Sequence, residues 1–372
     1  MPTSDGGGYP VRIGPGVLQE LPELLERLVG AHRYALISDE SVMELHGSRA
    51  EDLLVQAGLE VARLAFPGKE QSKTREVWAD LTDRLVDAGL GRDGCVIALG
   101  GGVTGDLAGF VAATYMRGIP LVQVPTSIVA MVDSAVGGKT GVDVPGGKNL
   151  VGAFHPPRLV LVDTELARTL PREERSRGLA EAVKHGAILD RVYLQEIQEG
   201  ARDLLDGEPE ATARVVARSV ELKAQVVGQD ELEGGVRRIL NFGHTLGHAL
   251  EAATGYRVPH GEAVAIGMVL EATLGEEVEV TESGTARALS GVLECLELPV
   301  SLPQGLDART VLEWTRRDKK VREGRVGYVL LRRIGEVDPG TGWTHPVADE
   351  QVVGVLDGEP ANPSGAPSGK AV

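Results

Sequence analysis

Positive charge is in short supply in this chain. Its 372 residues carry 38 Lys and Arg against 54 Asp and Glu, a net charge of -16 with histidine neutral. Nucleic-acid backbones are bound by basic surfaces, so this balance argues against a nucleic-acid partner. It also means that an anionic small molecule must be met by a locally basic pocket. Cysteine is almost missing: Cys95 and Cys295 stand in unrelated contexts, which suggests neither a disulfide framework nor a thiolate metal site and suits a reducing cytoplasm. No apolar run reaches the roughly 18 residues of a membrane span. The opening MPTSDGGGYP lacks the charged-then-apolar order of a signal peptide. A cytoplasmic protein without a membrane partner is expected.

What is present is an ordinary globular composition, 42% hydrophobic and 25% charged, at a length that suits two domains. Five short apolar runs, RYALISD (33–39), EVARLAF (60–66), CVIALG (95–100), LVQVPT (121–126) and LVLVD (159–163), alternate with amphipathic segments such as SVMELHGSRAEDLLVQAG. That alternation marks an α/β domain with a largely parallel sheet over 1–165. Long helical patterns with few strand candidates make 166–356 a mostly helical domain. The tail, 357–372, is rich in Pro, Gly and Ser and reads as disordered.

Two glycine motifs stop short of their usual forms. ALGGGVTGDLAGF matches G-x-G-x-x-G at Gly100, Gly102 and Gly105 between a strand and a helix, a turn that lets a backbone and a helix N-terminus approach a pyrophosphate. No acidic residue ends a strand about 20 residues later, as a plain dinucleotide fingerprint requires. Upstream, PGKEQSK offers Glu70 for ribose hydroxyls and Lys73 for charge. Further on, Gly137-Gly138-Lys139-Thr140 resembles the end of a P-loop, but Asp133 occupies the place of its first glycine. A nucleoside-triphosphatase is therefore disfavoured. Arg117, Lys139, Lys148 and Asn149, among glycines and prolines, still suit a phosphorylated small molecule on glycine-rich loops.

NFGHTLGHALEAATGYRVPHGEAV holds three of the eight histidines: His244 and His248 four apart, then His260. Residues four apart share a helix face, so the first two could chelate one ion. The glutamate that would follow the first histidine in a metalloprotease is missing, with Thr245 in its place. Spacing alone leaves open whether three, two or none of these bind metal.

Several motifs in order carry more than spacing: GGGVTGDLAGF, VPTSIVAMVDSAVGGKTGVDVPGGKNLVGAFHPP, GLAEAVKHG, ELKAQVV, RRILNFGHTLGHALE, HGEAV and RDKK. Through them the chain resembles the 3-dehydroquinate synthases of the sugar phosphate cyclase family. The resemblance implies an N-terminal Rossmann-like NAD-binding domain and a helical C-terminal metal-binding domain. It implies Zn²⁺ or Co²⁺ held by Glu181, His244 and His260, a set with open positions that suits a catalytic ion. NAD positions carry over to Gly68, Lys69, Glu70, Gln71, Ser72 and Lys73, to Gly102, Val103, Thr104, Gly105 and Asp106, to Thr126 and Ser127, and to Leu166, Ala167, Arg168 and Thr169. Lys139 and Lys148 fall where cofactor and substrate meet. Asn149, His248 and Lys320 match positions near the substrate phosphate, and Arg117 one that reaches a neighbouring subunit, which implies a homodimer. Asp133 and Lys184 match groups near the sugar hydroxyls; Lys223, Arg237 and Asn241 match those at the carboxylate. Lys69 and Ser127 depart from a common glycine and a common threonine.

The implied reaction converts 3-deoxy-D-arabino-heptulosonate 7-phosphate to 3-dehydroquinate and phosphate by transient NAD-dependent oxidation, phosphate elimination, re-reduction and intramolecular aldol closure. Related cyclases of the amino-dehydroquinate or 2-deoxy-scyllo-inosose type are the nearest alternatives. Arg237, Asn241 and His248 together favour a substrate with a carboxylate. A metal-dependent polyol dehydrogenase would not need so many phosphate-binding cations.

Overall fold

The computed structural model describes residues 1, 8–145, 147–316 and 326–358; Lys320 and the tail from residue 359 onward lie outside them. All five apolar runs form strands. These are β2 (Arg33–Asp39), β3 (Glu60–Phe66), β4 (Cys95–Gly100), β5 (Leu121–Pro125) and β8 (Leu159–Asp163). With β1 (Val11–Gly14) they make an all-parallel sheet in the order β1-β8-β5-β4-β2-β3. Every residue of β4, β5 and β8 is buried. A parallel strand covered on both faces has no polar side to show, which is why these runs read as continuous rather than alternating.

The order of the strands fixes where a ligand fits. From β2 the chain steps outward to β3, then returns to β4 and runs the other way to β5 and β8. Direction therefore reverses between β2 and β4, and open α/β sheets bind ligands outside the carboxyl ends of strands at such a point.

One expectation is revised. The glycine-rich segments around Lys139, Lys148 and Asn149, read as loops, form an antiparallel hairpin of β6 (Lys139–Val144) and β7 (Gly147–Phe154). Its glycines allow strands to approach: a Cβ on Gly152 would lie 2.2 Å from the Thr140 carbonyl oxygen.

The chain divides into two compact units, Met1–His185 with Gln195–Arg237, and Gly186–Leu194 with Arg238–Val372. In the first, the Gly102–Thr114 helix buries Leu107, Ala108, Val111 and Ala112 into a core with Ile37, Val96 and Val142. In the second, the His244–Ala253 and His260–Glu277 helices pack antiparallel, because Gly243 meets Met268 while Gly247 meets Ala263. Their backbones touch: a Cβ on Gly267 would fall 2.0 Å from the Gly243 carbonyl oxygen. Gly243 itself sits at φ 77, where a side chain is strained. A core of Leu246, Leu274, Val311, Tyr328 and Val352 closes this unit. The described part of it is mostly helical, with two short antiparallel strand pairs.

Candidate active site

In the first unit a cavity of ≈ 390 Å³ opens at the β2/β4 reversal, lined by Asp39, Glu40, Ser41, Gly68, Lys69 and Gly101 to Thr104. The glycines are there for space. A Cβ on Gly101 would come 3.2 Å from Ser127 Oγ and one on Gly102 3.1 Å from Ser134 Oγ. On Gly105 it would come 2.9 Å from Gln123 Oε1 of β5, so that glycine seats the helix on the sheet. Gly102, Val103 and Thr104 therefore line the cavity as expected. Asp106 lies behind it, pairing at 2.8 Å with the buried Lys73 ammonium. Burial opposes the charge on Lys73, but Asp106 and Glu70 outweigh it and raise its pKa.

Gly68 and Lys69 reach the cavity; Glu70, Gln71 and Ser72 follow as a single 3₁₀ turn, Ser72 Oγ donating to the Gly68 carbonyl at 3.1 Å. Lys69 holds φ 82, ψ 161, a conformation that is nearly glycine's alone. Thr126 is buried and donates its N–H to the Gly100 carbonyl. Leu166 and Ala167 are buried, backbone included, and offer no surface to a ligand as they stand; Arg168 is exposed, and Thr169 Oγ1 lies 3.0 Å from His46 Nε2.

Asp39 is the residue that the sequence reading missed here. It ends β2, its carboxylate accepts from Val42 N at 3.0 Å, and Thr104 Oγ1 approaches it at 3.4 Å. The signal was present, an acidic residue closing an apolar run. The rule searched downstream of the glycine turn, whereas the sheet order puts the upstream strand beside it.

A second group in the same unit is built on buried charge. Asp133 receives Lys223, which also donates to its carbonyl at 2.6 Å, and Lys184 at 3.7 Å; Lys184 pairs in turn with Glu181, one helical turn away. Burial alone would raise the Asp133 carboxyl, but the two ammonium groups outweigh it and hold it well below the ordinary carboxylate range. Burial likewise works against Lys184, yet Asp133 and Glu181 raise it. Burial wins at Lys223, which is lowered. His185, given no role from sequence, is fully buried beside them and lowered to about 3 by burial and by Lys184, hence neutral.

Arg237 is buried to 2% exposure. Its guanidinium donates to the carbonyls of Glu231 and Gly137, while its buried Nε–H has no acceptor among the described residues. An unmet buried donor costs ~1–3 kcal/mol, so it calls for an explanation. Lys139 pairs with Glu233, a second residue missed from sequence, and Lys148 lies 3.7 Å from Glu70. Asn149, at φ 53, donates its N–H to Asp143 at 2.7 Å; Arg117, at φ 68, is exposed.

In the second unit the three histidines do converge. Ring centroids of His244 and His248 are 5.2 Å apart, His244 and His260 5.5 Å, His248 and His260 5.9 Å. His244 Nδ1 lies 3.1 Å from the Phe242 carbonyl and His260 Nδ1 3.1 Å from Glu251 Oε2. Each ring's far nitrogen, Nε2, is then the one suited to a metal. His248 is exposed, unlike the buried His244. Its ligand atom and those of Glu251 and His260 all lie within 4.8 Å of one another. Asn241 closes the 3₁₀ turn Val236–Asn241 before this helix.

Comparison with known proteins now adds to the geometry. The family described as 3-dehydroquinate synthase N-terminal matches residues 63–177, and 3-dehydroquinate synthase C-terminal matches residues 178–321. The 3-dehydroquinate synthase of Symbiobacterium thermophilum is 49% identical over 331 residues, covering 88% of this chain and 92% of that protein. That of Xanthomonas oryzae pv. oryzae is 46% identical over 338 residues, covering 89% and 91%. Among solved structures, 2-deoxy-scyllo-inosose synthase complexed with carbaglucose-6-phosphate, NAD⁺ and Co²⁺ superposes with a TM-score of 0.88 at 27% identity, covering 94% of this chain and 97% of that one. The 2-epi-5-epi-valiolone synthase of Streptomyces hygroscopicus, with NAD⁺ and Zn²⁺ bound, gives 0.86 at 27%, covering 96% and 98%. An iron-containing alcohol dehydrogenase of Thermococcus thioreducens, at 20% identity and a TM-score of 0.64, shares the fold alone. With both halves matched and relatives alike almost end to end, this chain belongs to the 3-dehydroquinate synthase family.

Proposed function

We propose that the protein converts 3-deoxy-D-arabino-heptulosonate 7-phosphate to 3-dehydroquinate and phosphate, using NAD and one Zn²⁺ or Co²⁺ ion. The observation that carries this reading is the match of 88% of the chain to a 3-dehydroquinate synthase at 49% identity. Arg237, a cation in a net acidic chain, suits a substrate carboxylate, which the inosose and valiolone cyclase substrates lack. That favours the dehydroquinate reaction over its sister reactions.

The residues fit both cofactors. Gly101 and Gly102 line the cavity at the N-terminus of the Gly102–Thr114 helix, whose N–H groups suit a pyrophosphate, and Asp39 at the cavity suits ribose hydroxyls. When bound there, NAD would supply reversible hydride transfer at the substrate alcohol. Glu181, His244 and His260 would hold the metal, which supplies Lewis acidity at that alcohol. Two imidazoles and a carboxylate are the right donors for Zn²⁺ or Co²⁺.

The remaining roles belong to side chains. Lys184 and Asp133, locked together, present a charge-fixed surface to the sugar hydroxyls, with no reorganisation on binding. Lys223 stands with Arg237 at the carboxylate end, with Asn241. Lys139 and Lys148 serve where cofactor and substrate meet; Asn149 and His248 receive the phosphate end, and Lys320, outside the described residues, is assigned there too. Arg117 would serve a neighbouring protomer. Exposed Leu150 and Phe154, on one face of β7, support a homodimer through that face. No described helix is long and apolar enough to cross a membrane, and both cysteines are free, in keeping with a cytoplasmic enzyme.

One assay tests the reading: the heptulosonate phosphate with sub-stoichiometric NAD⁺ and Zn²⁺, following phosphate, NADH and product. Phosphate release with no net NADH is expected. NADH accumulating without phosphate would reject it in favour of a dehydrogenase.

A further inference from the structure

The second unit contains two buried glutamates that the reaction does not use. The His244–Ala253 helix carries Glu251 and the His260–Glu277 helix carries Glu271, exposed to 5% and 0%. Each reaches across to the other helix. Glu251 Oε2 meets His260 Nδ1 at 3.1 Å. Glu271 accepts from Gly243 N at 2.8 Å and from Leu246 N at 3.2 Å, the two amides flanking His244 at its helix N-terminus.

We propose that Glu251 and Glu271 are positioning residues that reciprocally preset the two metal imidazoles, each helix holding the other's histidine. The inference rests on the proposed metal role of His244 and His260. A buried carboxylate is costly unless its lone pairs are used, and Glu271 uses both oxygens on backbone N–H groups at a helix N-terminus, where negative charge is favoured. The same contacts settle how the first helix turn begins. His244 is the first residue of that turn, so its ring is aimed by Glu271 without being touched by it. Glu251 acts directly on the ring of His260, fixing its tautomer and leaving Nε2 to face a metal. Glycine packing makes the clamp stiff: with Gly267 against Gly243 and Gly247, neither helix can slide to compensate for a lost contact.

The test uses the full-length protein stripped of metal, titrated with Co²⁺ and read by visible absorption, with thermal unfolding measured in parallel. Glu271→Gln keeps shape but turns an N–H donor towards a backbone N–H. Glu251→Ala removes the ring's partner. Each is expected to weaken Co²⁺ binding on the order of 10–100-fold and to change the intensity of the Co²⁺ bands. Glu251→Gln, which retains an acceptor for Nδ1–H, should recover part of the affinity. Leu312→Ala, a core change in the same unit, should lower the melting temperature yet leave Co²⁺ affinity and spectrum as in the parent. Parent-like affinity and bands in Glu271→Gln and Glu251→Ala would overturn the inference. If Glu271→Gln fails to fold, Glu271→Asp, too short to reach both amides, is held to the same criterion. A parent protein that takes up no Co²⁺, or a His244→Ala variant that binds as the parent does, would instead overturn the metal reading itself.

Discussion

The buried ion-pair group of the first unit and the histidine hairpin of the second solve one problem by opposite means. Around Asp133, long flexible lysines are immobilised by charge: Lys184 and Lys223 are fixed because a buried carboxylate needs them. Around His244 and His260, the helices that carry short stiff side chains are immobilised by backbone contact through Gly243, Gly247 and Gly267. Charge can be weakened by degrees, whereas a backbone contact either fits or clashes. The two regions should therefore fail differently.

Gly267→Ala should have the largest effect. Its new methyl would sit 2.0 Å from the Gly243 carbonyl oxygen and 2.8 Å from Gly247 N, with no flexible side chain to give way. We expect a loss of about 4 kcal/mol or more in denaturant unfolding and no stable metal binding. A folded, metal-binding variant with parent-like stability would show that the helices are not held by backbone contact. Asp133→Ala comes next. It leaves Lys223 the backbone carbonyl of residue 133 without a carboxylate, and leaves Lys184 with Glu181 alone of its two carboxylates, so a cost of about 3 kcal/mol is expected, with turnover lost but the fold kept. Equal unfolding in both variants would erase the distinction.

Much of this contrast was legible in the sequence, but unevenly. All five apolar runs are strands because a parallel strand is recognised from its own residues. The histidine spacing was seen, yet spacing cannot say what faces what. Glu251 and Glu271 were invisible, since each acts on the other helix and a periodic pattern records only its own. Asp39 was missed because the strand order, which no local pattern encodes, puts β2 beside the glycine turn. Glu233, in a left-handed turn at φ 61, finds Lys139 across a long stretch of chain.

Within the hairpin the histidines should separate by role. His260→Ala removes a proposed ligand held by Glu251, and should weaken Co²⁺ or Zn²⁺ binding more than about 100-fold. His248→Ala, at the exposed ring, should keep the metal and lower turnover. Metal analysis after dialysis checks both. Equal metal loss would favour the alternative group of His248, Glu251 and His260, and would move the metal off His244.

The smallest effect returns to the sheet end. Lys69 lines the cavity with its backbone at φ 82, ψ 161, a region that costs a non-glycine residue ~1–3 kcal/mol. Lys69→Gly releases that strain but adds freedom to the unfolded chain, worth about 0.5–1 kcal/mol in the other direction. A net gain near 1 kcal/mol in unfolding free energy is the expected result. NAD⁺ affinity, read by fluorescence titration, decides what the lysine is for. If stability rises and NAD⁺ binding is unchanged, the strain is incidental to the cavity. If stability rises while NAD⁺ binding weakens, the ammonium contributes to the cofactor's phosphates and the strained backbone is the cost of holding it there. Lower stability in the glycine variant would mean that the side chain's contacts outweigh the strain, and the sheet end would then resemble the Asp133 group in relying on charge.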